Sequence, residues 1–96
     1  SSVRVKDMKS GEESIIGCEG VFVCVGRKPE TELVKGQLDL DANGYIIAGE
    51  DTKCNIPGVY AVGDIRTKPL RQVVSAAADG AVCVQVAEEF LATMVQ

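Results

Sequence analysis

The polar and apolar positions of this chain change their rhythm from segment to segment. Val3-Arg4-Val5-Lys6-Asp7 alternates apolar with polar, the period of a half-buried strand. Lys9-Ser10-Gly11-Glu12 supplies a turn and Ser14-Ile15-Ile16 returns, so this stretch predicts a β-hairpin. Val21-Phe22-Val23-Cys24-Val25 is a continuous apolar run ended by Gly26, short enough for a buried strand and too short for a helix. Residues 30–35 predict one helical turn, stopped by Gly36. Leu38-Asp39-Leu40 and Tyr45-Ile46-Ile47 flank Asn43-Gly44, a dipeptide that accepts the positive φ angles of a tight turn, and predict a second hairpin. Residues 52–55 read as a polar loop.

Ile56-Pro57-Gly58-Val59-Tyr60-Ala61-Val62-Gly63-Asp64 reads as a Pro-Gly turn, a short strand and a Gly-Asp break. Val59, Ala61 and Val62 are too apolar for a half-exposed strand and predict a central parallel one, covered on both faces. Pro69 closes the following loop and delivers the chain into a helix from Arg71 to about Met94. Val73, Ala76, Gly80, Cys83, Ala87, Phe90 and Met94 recur at steps of three and four and share one face of it. Gln85, Glu88 and Glu89 lie opposite. Gly80 costs about 1 kcal/mol relative to Ala in a helix, a cost that close packing of helix on sheet would explain. The elements together predict an α/β fold.

Composition narrows the partners. The chain has 96 residues, 46% of them hydrophobic, with no Trp and few aromatics, so any core is built from Val, Ile, Leu and Ala. Ten basic and fourteen acidic residues give a net charge of −4 without a basic patch, which excludes nucleic acid as the natural partner. No apolar run approaches the ~20 residues that span a bilayer and no signal peptide opens the chain, so a cytoplasmic protein with no membrane partner is expected. Cys18, Cys24, Cys54 and Cys83 are irregularly spaced, with no Cys-x-x-Cys pair and no His. They read as reduced, mostly buried thiols, and no metal site is expected from them.

Two stretches carry candidate chemistry. Gly63-Asp64 stands at the carboxyl end of the expected parallel strand, where ligands of open α/β sheets sit. Gly63 allows close backbone approach, and Asp64 offers a carboxylate to hydroxyls or to water near phosphate. The rival is Asp39-x-Asp41-x-Asn43-Gly44, then five residues and Glu50, which matches the calcium loop of EF-hands at each specified position. Its setting is wrong: Gly36 interrupts the approach, Pro57 the exit, and Ile47 stands at the ninth loop position. A stand-alone calcium-binding or interaction module using residues 39–50 remains the alternative from another class.

The run of residues 56–65 followed by Arg71-Gln72 resembles the C-terminal FAD signature of the low-molecular-weight (bacterial/archaeal-type) thioredoxin reductases, within the pyridine nucleotide-disulfide oxidoreductase family. Gly26-Arg27-Lys28-Pro29-Glu30-Thr31 is similar to the Gly-x-x-Pro-Asn-Thr segment by which those enzymes leave the NADPH domain and re-enter the FAD domain, with Glu30 where Asn is usual. The resemblance implies a partial FAD/NAD(P)-binding Rossmann-like domain. Residues 1–26 would be the tail of an NADPH-binding domain and residues 27–96 the C-terminal segment of an FAD-binding domain. Asp64 would bind the FAD ribityl and pyrophosphate region, with Gly63 beside it among the cofactor-binding residues, and Arg71, Gln72 and Val73 would lie along the flavin near its pyrimidine edge. The activity implied is electron transfer from NADPH through FAD and a dithiol to thioredoxin, by a homo-oligomeric (homodimeric) enzyme. The reductase component of an alkyl hydroperoxidase system shares the signature and is the alternative within the class. Neither a Gly-x-Gly-x-x-Gly fingerprint nor the dithiol is in these residues. No catalytic residue is expected among them, and the isolated chain is expected to be inactive.

Overall fold

The computed structural model describes residues 1–95. Strands β1 (Ser2–Lys6) and β2 (Glu13–Gly17) form the expected antiparallel hairpin, in register from Ser2 opposite Gly17 to Lys6 opposite Glu13. Asp7 organises its turn: one carboxylate oxygen accepts the Lys9 and Ser10 amides at 2.7 and 3.1 Å. Those two bonds hold the Asp7 carboxyl below its ordinary range.

The apolar run after Glu19-Gly20 is not a strand. Val21, Phe22, Val23 and Val25 are exposed and pair with nothing among the described residues. A buried strand needs a ladder on its edges and cover on its faces, and neither is supplied here.

From residue 29 onward the chain closes around a small core of Leu38, Ile46, Ala48 and Ala61, with Val34, Leu40, Cys54 and Ile65 packed against it. Burial pushes the Cys54 thiol pKa up. The expected helical turn is a 3₁₀ turn, Glu32–Val34. The second hairpin forms around a longer turn than its Asn-Gly dipeptide suggests. Gly44 donates to the Asp41 carbonyl at 3.0 Å, and the Asp41 amide donates to the Tyr45 carbonyl at 2.8 Å. Gly44 has a positive φ but Asn43 does not, so the loop is a type I turn followed by a left-handed glycine. The Asp41 carboxylate accepts the Asn43 and Tyr45 amides, both at 2.9 Å, which favours this turn. Glu50 faces Arg66 at 3.3 Å, and among the described residues no α-helix directly flanks residues 39–50 as an EF-hand requires. The calcium-loop motif is thus a hairpin in this fold.

The Pro-Gly turn is present, closed by the Val59 amide on the Ile56 carbonyl at 3.1 Å. Beyond it the expected central parallel strand is an extended arm. Its contacts run back along its own hairpin, Cys54 amide to Val59 carbonyl and Ala61 amide to Thr52 carbonyl. Ala61 is buried, whereas Val59 and Val62 are 36% and 39% exposed. A central parallel strand needs parallel neighbours, and among the described residues this segment has only the antiparallel arm of its own hairpin.

Helix α1 (Val73–Met94) begins two residues later than the periodicity indicated. Gln72 is its extended N-cap residue; the Gln72 amide donates to Ser75 Oγ at 3.0 Å, and that hydroxyl donates to the Gln72 and Leu70 carbonyls. Its covered face runs through Ala76, Asp79, Gly80, Cys83, Val86, Ala87 and Phe90, so the middle of the anticipated stripe is right. Val73 and Met94 at its ends are exposed. Gly80 does not mark a close approach: a Cβ there would meet open space. The tight contact is at Gly58, where the Phe90 ring lies 3.0 Å from the place a Cβ would occupy.

Candidate functional site

The site is built on the chain reversal between Val62 and Arg71. Val62 is extended, Gly63 turns with φ +79°, and residues Gly63–Ile65 close a 3₁₀ turn. A side chain at Gly63 would be strained by that φ and would also meet the Ala76 methyl of α1 at 3.6 Å. The turn therefore lies directly on the first turns of the helix. Gly63 is buried beneath it and Asp64 is exposed on its outer side.

Beneath the turn is a charged cluster. Asp79, buried on the inward face of α1, accepts the Gly63 amide at 2.8 Å, Arg66 Nε at 2.7 Å and Lys68 Nζ at 2.9 Å on one oxygen. Its other oxygen accepts Arg66 Nη2 at 2.8 Å, completing a bidentate pair. Arg66 is 2% exposed and also donates to the Ala48 and Thr67 carbonyls and to Glu50. The Arg66 guanidinium, helped by Lys68 and the Gly63 amide, holds the Asp79 carboxyl far below its ordinary range, against burial that pushes it up. Hydrogen bonding to Asp79 raises the Arg66 pKa in turn.

Above the turn, a cleft of about 360 Å³ is lined by residues 27–30, Tyr45, Asp64, Ile65 and Arg71. Arg71 closes one wall. Its guanidinium lies 3.7 Å from the centre of the Tyr45 ring, a cation–π contact. Arg71 also donates to the Asp64 carbonyl and, through Nη2, to the Arg66 carbonyl, both at 3.0 Å. The cations Arg27, Lys28 and Arg71 and the carboxylates Glu30 and Asp64 line the cleft. This combination suits an extended ligand with both anionic and hydroxyl groups.

Of the residues singled out in the sequence, Asp64 and Arg71 meet in this cleft. Gly63 lies under it as the pivot of the turn. Gln72 and Val73 are exposed at the start of α1 and do not line the cleft. Tyr45, Arg66, Lys68 and Asp79 were missed. Asp79 left a signal: it is an acidic residue between Ala76 and Cys83 on the apolar stripe, and a charge there requires an internal counter-charge. Among the described residues no group of three or more His, Cys, Asp or Glu is set to hold a metal ion, and the four cysteines are free thiols. No helix of the described residues is long and apolar enough to cross a membrane.

Known proteins match most of this chain. The family model described as pyridine nucleotide-disulphide oxidoreductase matches residues 1–80. A thioredoxin reductase of Peptoclostridium litorale is 49% identical over 75 residues, covering 78% of the chain and 24% of that protein. A thioredoxin reductase of Eremothecium gossypii is 40% identical over 95 residues, covering 97% of the chain and 30% of that protein. Among solved structures, the Lactococcus lactis thioredoxin reductase in its FR conformation superposes with a TM-score of 0.83 at 39% identity, over 96% of the chain and 30% of its own. The T. acidophilum enzyme superposes with a TM-score of 0.81 at 34% identity, over 97% of the chain and 30% of its own. The chain thus spans 24–30% of the length of the relatives it matches.

Proposed function

The chain belongs to the pyridine nucleotide-disulphide oxidoreductase family, and on that premise we propose that it is the C-terminal portion of an NADPH-dependent thioredoxin-disulfide reductase. Residues 27–96 are its FAD-domain segment and residues 1–26 the end of its NADPH domain. The cleft between Arg27, Lys28, Asp64 and Arg71 carries this reading, because it gathers charged residues far apart in sequence around one hollow. The donor set fits FAD. Arg27 and Lys28 suit a pyrophosphate, the Asp64 carboxylate suits ribityl hydroxyls, and Arg71 with the positive helix end at Gln72 and Val73, just outside the cleft lining, suits the flavin.

FAD bound there supplies a two-electron carrier between a nicotinamide and a disulfide. The residues of this chain bind and orient it. Asp64 would hold ribityl hydroxyls, Arg71 holds one wall of the cleft by stacking on Tyr45, and the amides at the start of α1 would offer their unpaired N–H groups to an anionic part of the flavin. The nucleotide fingerprints and the dithiol belong to the rest of such an enzyme, so the isolated 96 residues are expected to be inactive.

The test is electron delivery by the complete protein that contains this chain. It is expected to purify with FAD and to reduce thioredoxin at the expense of NADPH. Delivery to the peroxidase of an alkyl hydroperoxidase system in place of thioredoxin would move it to that neighbouring class. A protein that carries no flavin would refute both.

A further inference from the structure

The Asp64 turn is fastened from below by a residue that does not line the cleft. Asp79 engages three points along residues 63–68: the Gly63 amide before Asp64, the Arg66 guanidinium after it, and the Lys68 ammonium beyond. Arg66 carries the restraint to the hairpin through the Ala48 carbonyl. The backbone follows, with the Ile46 amide on the Ile65 carbonyl at 2.9 Å and the Thr67 amide on the Ile46 carbonyl at 2.8 Å. Arg71 fastens the outer side through the Asp64 and Arg66 carbonyls.

We infer that Asp79 is a positioning residue for the FAD site: from the second turn of α1 it sets the backbone from Gly63 to Lys68 and with it the placement of Asp64 and Arg71. This rests on the reading of the Asp64 cleft as the FAD site. A core hydrophobe in place of Asp79 would fill the space without naming a conformation. A buried carboxylate accepts only donors that arrive at fixed distances and angles, so one geometry of the turn satisfies it. With the charge gone, Arg66 and Lys68 have no shared acceptor, and the turn relaxes toward whatever hydrates them.

The test uses the complete flavoprotein and reads FAD dissociation by flavin fluorescence, beside apoprotein melting and the Kd for NADPH. Asp79→Asn keeps the size of the side chain and removes its charge. It is expected to weaken FAD binding about tenfold or more, as loss of a charged hydrogen-bond partner does, with NADPH affinity unchanged. Lys68→Met leaves the Arg66–Asp79 pair intact and is expected to give a smaller loss of FAD affinity in a stably folded protein. Phe90→Ala, on the same helix face but away from the cleft, is expected to lower melting without loosening FAD. Asp64→Ala separates the two claims. If it loosens FAD while Asp79→Asn and Lys68→Met do not, Asp79 is merely structural and the inference falls alone. If Asp64→Ala leaves FAD affinity intact, the site reading itself falls. Should Asp79→Asn fail to fold, wild-type FAD affinity in Lys68→Met overturns the inference.

Discussion

Asp79 shows how a single side chain can be both costly and informative. Its desolvation is offset by a bidentate arginine, a lysine and an amide, all between 2.7 and 2.9 Å. Removing one partner of a buried pair costs about 3–5 kcal/mol. This cluster lies just beneath the exposed Glu50, so Asp79→Ala is expected at the lower end, about 3 kcal/mol by denaturant titration. The pH dependence has a definite sign. The folded carboxyl is depressed below its ordinary value of 3.8, so its stabilisation is fully present above that value and fades as pH falls beneath it. Asp79→Asn should therefore flatten stability against pH in the acid range, measured as melting temperature from pH 6 down to about pH 3. The sequence showed Asp64 and Arg71 because their motif is local. It hid Arg66 and Lys68, because their counter-charge lies 13 and 11 residues away on a helix.

At the scale of elements, α1 was legible from its periodicity and the hairpins from their turns, since both signals reside within a few residues. Gly80 tests what the helix packs against. In the 96-residue chain its missing Cβ faces open space, so Gly80→Ala should stabilise by about 0.5–1 kcal/mol through helix propensity. Destabilisation by the same change in the complete protein would show a sheet pressed against that face. The start of α1 bears on the flavin. Its first amides lack intrahelical partners and the end carries about half a positive charge. Gln72→Glu in the complete flavoprotein should oppose that field and make the flavin potential more negative, by about 20 mV per kcal/mol for a two-electron couple. Spectroelectrochemical titration reads the shift. An unchanged potential at full FAD occupancy would place this helix end away from the flavin.

The molecule as a whole has more apolar surface than its own core can use. Among the described residues only four apolar residues are buried, while Val21, Phe22, Val23, Val25 and Leu33 stand 57–93% exposed. The described chain extends 69 × 27 × 22 Å instead of rounding up. The two expected strands at residues 21–25 and 59–62 failed for one reason: apolar content reports that a segment needs cover, whereas the ladder that makes it a strand depends on other segments. The isolated chain is accordingly expected to self-associate, seen as a rise in weight-average mass with concentration in sedimentation. A compact monomer with a steep thermal transition would contradict that. Hydrogen–deuterium exchange of the complete protein, with and without FAD, tests the central claim most directly. Bound FAD should slow exchange at the amides of residues 63–66 and 72–75 and leave the β1–β2 hairpin unchanged. Stoichiometric FAD binding without protection at those amides would contradict the assignment of this turn and helix start to the flavin site.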